Sequence, residues 1–261
     1  MNISVKIYPW ESPKIFKDNN LNLKEGDKVI VGAEREIENG EVVAVNVKAD
    51  QADQENGLIL RRANASDLGL IERYQGKEKE ALRFCQAEIK KNDLPMKLTG
   101  VHFSFDGSKI IFSFTAGKRV DFRNLIKTLS QHFQKSVRLQ QIGSRDEARM
   151  VGGLGICGKE LCCRIFNGNL KSVSAENARI QQLGQRGSDR ISGLCGRLRC
   201  CLGYESEQYK KASVGFQGLR SAVTVNGEKG KIIEKHVLAR EVTVEFEDRT
   251  RKRVDVKDIK N

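Results

Sequence analysis

Val101-His102-Phe103-Ser104-Phe105-Asp106-Gly107-Ser108-Lys109-Ile110-Ile111-Phe112-Ser113-Phe114 is the stretch that sets the architecture. Val101, Phe103 and Phe105 alternate with His102 and Ser104, Asp106-Gly107 supplies turn chemistry, and Ile110 to Phe114 returns as a second apolar run. That is the pattern of a β-hairpin. Upstream, Lys77 to Asn92 is polar except for Ala81, Leu82, Cys85 and Ile89. Their spacing builds one apolar face of a helix, which Leu94-Pro95 ends. Downstream, Asp121 is placed to cap a helix that buries Phe122, Leu125, Ile126, Leu129 and Phe133. Val137-Arg138-Leu139-Gln140 reads as a further strand. Helix, two strands, helix and strand predict an α+β body over residues 72–141, with helices on one face of an antiparallel sheet.

Small β modules flank this body. Glu25-Gly26-Asp27 precedes Val29-Ile30-Val31, and Asn39-Gly40 precedes Val42 to Val45, which predicts strands separated by turns within residues 1–60. At the other end Val244 and Phe246 alternate with Glu245 and Glu247, and Val254 and Val256 with Asp255 and Lys257. A second β module is expected over residues 215–261.

The 261 residues are 39% hydrophobic and 31% charged, which suits a folded soluble chain with more than one module. Met1 to Tyr8 alternates like a strand and lacks the basic head and apolar stretch of a secretory signal. No apolar run approaches the roughly 20 residues that span a bilayer. A cytoplasmic location without membrane insertion is therefore expected. There the seven cysteines stay reduced, and closely spaced ones favour metal or redox chemistry over disulfides. The net charge of +12 is concentrated centrally: residues 72–141 hold 14 Lys+Arg against 7 Asp+Glu, and residues 142–211 hold 12 against 7. Such a field draws RNA, DNA or an acidic protein without choosing among them. Lys77-Glu78-Lys79-Glu80 is a solvated helix face and stacking aromatics are few, so protein partners are better supported than direct RNA contact.

The Cys-rich region, residues 142–211, contains Gly155-Ile156-Cys157-Gly158-Lys159-Glu160-Leu161-Cys162-Cys163, which recurs as Gly193-Leu194-Cys195-Gly196-Arg197-Leu198-Arg199-Cys200-Cys201. Every glycine and cysteine is offset by 38 residues, since 195 − 157 and 201 − 163 agree. Two short loops of one shape can each bring thiolates to a shared metal or cluster. The glycines permit tight turns and close N–H approach to anionic sulfur, and Arg164, Arg197 and Arg199 offset thiolate charge. Adjacent side chains diverge, which makes Cys157, Cys162, Cys195 and Cys200 the natural quartet and leaves Cys163 and Cys201 for packing or for ligation shared with a partner. The spacing leaves iron-sulfur and zinc both open. A third reading, redox sensing by vicinal thiols, ranks behind them because vicinal disulfides are strained. Cys85 lies on the helix stripe and reads as core. Only His102, His132 and His236 offer imidazole bases, none beside the repeat, and no G-x-x-x-x-G-K-[ST] loop is present. A non-enzymatic role follows.

Two long motifs resemble the bacterial RicT/YaaT family. The first runs from Arg138-Leu139-Gln140-Gln141-Ile142-Gly143-Ser144-Arg145-Asp146-Glu147-Ala148 through Gly152-Gly153-Leu154-Gly155 to Cys163, and the second from Ile191-Ser192-Gly193 to Tyr204-Glu205. Gly230-Lys231-Ile232-Ile233 and Val242 to Phe246 fit as well. The resemblance implies a scaffold subunit that assembles with two small, largely helical partner proteins and carries oxygen-sensitive [4Fe-4S] clusters. It further implies that the subunit modulates messenger-RNA processing by ribonuclease Y, with sporulation among the phenotypes in spore-forming relatives. The alternative, from another class, is a zinc-stabilised nucleic-acid-binding protein.

Overall fold

A computed structural model describes the chain except at residues 34–35, 48–56, 167–169, 171, 185–186 and 261. The chain is α+β and divides into two compact units, Met1–Asn169 with Leu194–Arg197, and Leu170–Gly193 with Leu198–Asn261.

The first unit opens with a closed barrel. Strands β1 (Asn2–Lys6), β2 (Lys14–Lys17), β3 (Lys28–Ala33), β4 (Glu36–Ala44) and β5 (Leu58–Arg62) run in the order β1-β2-β5-β3-β4. Every second side chain of a strand points to the same face, so Ile3 and Val5, Val29 and Val31, with Phe16, Val42 and Ile59, fill the interior. Asn39-Gly40, expected as a turn, instead lies inside β4 and pairs with Ile30 and Val29. The glycine answers a need for space. A Cβ at Gly40 would stand 2.5 Å from Val5 Cγ1 and 3.2 Å from the Lys6 carbonyl oxygen, because barrel closure presses β1 against β4.

The body of the first unit comprises α1 (Ala65–Lys91), β6 (Lys97–Phe103), β7 (Lys109–Thr115), α2 (Arg123–Phe133) and β8 (Ser136–Gln141). β6 and β7 form the antiparallel hairpin that the alternation predicts. β8, however, pairs with β7 in parallel, so the sheet is mixed rather than antiparallel. The cause is α2, a helical crossover that returns the chain to run in its original direction. Ala81, Cys85 and Ile89 of α1 and Leu125 and Leu129 of α2 pack on Val101, Phe103, Ile110 and Phe112. α1 begins at Ala65, ahead of the Lys77 start expected, and Ile71 and Tyr74 extend its apolar stripe toward the N-terminus. Asn64 and Asp67 exchange side-chain and backbone hydrogen bonds of 2.9 Å each, and Arg61 clamps the Asp67 carboxylate, so the cap fixes where the helix starts. At α2 the capping position is Phe122, while Asp121 accepts from the Arg123 N–H at 3.2 Å.

The opposite face of the sheet is covered by Trp10, with Tyr8, Ile142 and Met150 packed around it and Ile111. There Glu38 of β4, fully buried, accepts from Tyr8 Oη at 3.2 Å and lies 3.2 Å from His102 Nε2 of β6. Two short helices, α3 (Ser144–Val151) and α4 (Cys162–Ile165), complete the unit.

The second unit holds α5 (Ala175–Ile180), α6 (Ser188–Ile191) and α7 (Cys200–Ala212), then β9 (Ala222–Val225), β10 (Glu228–His236), β11 (Glu241–Phe246), β12 (Arg251–Asp255) and β13 (Ile259–Lys260). Ser174 caps α5 as its sequence predicts, exchanging bonds with Asn177. Of the Gly184–Gly187 stop expected after α5, Gln185 and Arg186 lie outside the described residues. Gln181 Nε2 donates to the Leu202 carbonyl at 2.7 Å, tying the end of α5 to α7. The C-terminal strands form one sheet, ordered β12-β11-β10-β9-β13, around Val223, Val225, Ile232, Val242, Val244 and Phe246. Val256, expected on a strand, sits in the 3₁₀ turn Val256–Asp258 that brings β13 back to β9.

Two glycines separate space from conformation. Gly40→Ala should cost about 1–3 kcal/mol through overpacking. Gly76→Ala, within α1 and with no atom near its added Cβ, should stabilise by about 0.5–1 kcal/mol. Thermal unfolding of both variants checks the pair, and equal shifts would contradict the close approach of β1 and β4.

Candidate metal centre

The cysteine repeat is a repeat of backbone as well as of sequence. In the first copy an isolated bridge joins Leu154 to Glu160, and in the second Ser192 to Leu198. The Leu161 N–H donates to Gly153 O and the Arg199 N–H to Ile191 O, and each loop then opens a helix with Cys162 or Cys200 as its first residue. Gly158 and Gly196 both have φ of +75°. A Cβ would meet nothing within 4 Å at either, so it is the left-handed backbone and not crowding that calls for glycine.

The structure places the candidate ligands unevenly. Cys157 is exposed, Cys162, Cys195, Cys200 and Cys201 are half-buried, and Cys163 is buried. Cys157, Cys162, Cys163 and Cys195 fall in the first unit, and Cys200 and Cys201 in the second. Among the described residues no three Cys, His, Asp or Glu side chains gather as a metal-holding group. Within the first unit, however, Cys163 and Cys195 interact. Burial pushes the Cys163 thiol up, the neighbouring Cys195 adds to this, and Arg149 and Arg145 pull the other way.

Arg145 and Arg149 stand four residues apart on α3, a spacing that puts them on one helix face. Arg149 is held by Trp10 O at 2.6 Å, Ser12 Oγ at 2.8 Å and Asp146 at 3.2 Å. In the first unit two thiols thus interact with two arginines beside them, fewer donors than the four thiolates of a closed site. Cys85 is core: burial alone lifts its thiol to about 12. Around the loops Val151, Leu154, Ile156 and Leu194 are 77, 67, 74 and 66% exposed, more apolar surface than a loop needs for its own folding.

Comparison with known proteins places the chain among PSP1-type proteins. The PSP1 C-terminal conserved region matches residues 57–142, spanning β5 to the end of β8, and the third domain of PSP1-like proteins matches residues 172–216. The chain belongs to the RicT/YaaT family. The stage 0 sporulation protein YaaT of Bacillus subtilis (strain 168) is 38% identical to it over 236 residues, covering 90% of this chain and 86% of that protein. An uncharacterised protein of Schizosaccharomyces pombe is 25% identical over 153 residues, 47% of this chain and 20% of that one. No solved structure matches. Among the described residues no helix is long and apolar enough to cross a membrane.

Alkylation of the metal-free native protein should modify Cys157 first and spare Cys85 and Cys163 until denaturant is added. Mass spectrometry of peptides over time reads the order, and early labelling of Cys163 would contradict its burial. Gly158→Ala and Gly196→Ala should each destabilise by about 1–2 kcal/mol in urea unfolding, equally in the two copies.

Proposed function

We propose that this protein is a non-enzymatic, cytoplasmic regulatory subunit whose cysteine repeat carries a [4Fe-4S] cluster, and which acts with two small helical partner proteins on messenger-RNA processing by ribonuclease Y. The observation that carries this reading is the duplicated cysteine loop, matched in backbone and in all six thiols, in a chain 38% identical to a sporulation protein. A sporulation role follows where the source organism forms spores. Cys157, Cys162, Cys195 and Cys200 remain the proposed ligands. Cys163 joins them as a candidate because it feels the charge of Cys195. Bound there, a cluster supplies an oxygen-sensitive element. The chain's own part is to hold thiolates in two rigid turns, to balance their charge with Arg145 and Arg149, and to present Val151, Leu154, Ile156 and Leu194 to a partner.

Iron, acid-labile sulfide and zinc measured on anaerobically purified protein test this reading. Iron and sulfide in equal amounts support the cluster, and stoichiometric zinc without sulfide supports the zinc-stabilised nucleic-acid-binding alternative. Cys157→Ser and Cys195→Ser should each lose the metal and weaken partner pull-down, while Cys85→Ser keeps both at a cost of about 1–3 kcal/mol in stability. Cys163→Ser reports whether the buried thiol is a ligand. Full iron content and normal partner binding in both Cys157→Ser and Cys195→Ser would return the cysteines to a packing role.

A further inference from the structure

The two copies of the cysteine repeat agree in more than their glycines and cysteines. Ile156 and Leu194 stand just before the first cysteine of each copy, and Lys159 and Arg197 stand two residues after it. All four side chains are exposed. The remaining positions diverge: Glu160 and Leu198 lie in each copy's bridge, and Leu161 and Arg199 at each helix start. Folding alone would produce the reverse, since it constrains the internal positions and leaves exposed loop positions to vary. Both tips belong to the first unit. A Cβ at Gly153 would stand 3.5 Å from Leu194 Cδ2, so Leu194 joins Leu154 beside that glycine in one apolar patch. Residues 144–165 with Leu194–Arg197 hold five Lys+Arg and three Asp+Glu. Each carboxylate is taken: Asp146 by Arg149 at 3.2 Å, Glu147 by Lys97 at 2.5 Å and Glu160 by Arg164 at 2.9 Å. Among the described residues Lys159 and Arg197 have no ion pair.

We infer that the paired loop tips dock an acidic amphipathic helix of a partner protein, an inference that rests on the reading of this chain as a regulatory subunit with helical partners. The apolar stripe of such a helix covers Leu154, Ile156 and Leu194, and carboxylates on its flanks meet Lys159 and Arg197. Gly158 and Gly196, both at φ +75°, fix the two tips before binding, so little further ordering is needed. A second copy of the chain would set these cations against themselves. A nucleic acid would meet aliphatic side chains where it needs stacking aromatics, and a lipid surface is gripped best through aromatic anchors that the patch lacks. An acidic helix answers both the apolar and the cationic part of the surface.

Fluorescence anisotropy with the full chain at low ionic strength tests the surface. The probe is a labelled synthetic helix of about 18 residues, with leucine along one stripe and glutamate on both flanks. The comparison probes are the same helix with lysine for glutamate, a short single-stranded oligoribonucleotide, and, by co-sedimentation, vesicles of phosphatidylcholine with phosphatidylserine. The glutamate helix should bind at least about tenfold more tightly than the lysine helix, and added salt should weaken it. Lys159→Glu, Arg197→Glu and Leu194→Ser should each weaken that binding by about fivefold or more, while Lys127→Glu, on the exposed face of α2, should change it less than about twofold. Circular dichroism confirms that each variant is folded. Iron and zinc are measured on the same samples. Absence of iron with intact helix binding counts against the cluster reading alone, and iron without preference for the glutamate helix counts against the docking surface alone. No binding of the glutamate helix, equal binding of the two helices, undiminished binding by both Lys159→Glu and Arg197→Glu, or tighter binding of vesicles or oligonucleotide would overturn the proposal.

Discussion

The first unit depends on the burial of Trp10. Its ring, about 1% exposed, lies against the face of the mixed sheet that the helices leave open, and Gly100 makes the approach possible: a Cβ there would be 3.2 Å from the indole. Tyr8 stacks on Trp10 with 5.5 Å between ring centroids. The indole Nε1 is buried without a hydrogen-bond partner, a cost of about 1–3 kcal/mol that the packing of so large a side chain outweighs. The same residue's carbonyl takes Arg149, so one side chain and one backbone oxygen together fix the barrel, the sheet and the start of the cysteine loop. Glu38 and His102 meet on the same face, which gives it polar specificity beside its apolar mass.

Features governed by local chemistry were legible in the sequence. The hairpin of β6 and β7 followed from alternation around Asp106-Gly107, the α5 cap from Ser174, and the core position of Cys85 from its place on a helical stripe. The cysteine repeat was legible because its glycines answer a backbone requirement, and a positive φ leaves the same mark wherever it recurs. What escaped reading depends on contacts between distant residues. Gly40 looks like a turn former and serves strand approach. Ala65 to Gly76 carries Leu68, Ile71 and Tyr74 at helical spacing behind its cap, a start that the glycines at 69 and 76 disguise. β8 reads as a strand, yet only the crossover fixes its direction. Cys163 adjoins Cys162 in sequence, and only the fold shows that its thiol interacts with Cys195.

The two copies of the loop are alike in backbone and unlike in setting. The first follows an eight-residue helix carrying Arg145 and Arg149, whereas the helix before the second, α6, has four residues. Duplication thus supplies a symmetric pair of thiol-bearing turns, and the flanks make them inequivalent.

Asn39-Gly40 has one more consequence. An asparagine followed by glycine is the dipeptide most prone to cyclise to a succinimide and deamidate, because nothing hinders attack of the glycine nitrogen on the side-chain amide. Inside β4 the extended backbone, paired with Ile30 and Val29, holds that nitrogen away from the amide carbon. The barrel therefore protects a chemically labile bond. Isoaspartate at position 39 would accumulate only in molecules whose barrel has opened, which makes that position a built-in record of unfolding during storage or ageing.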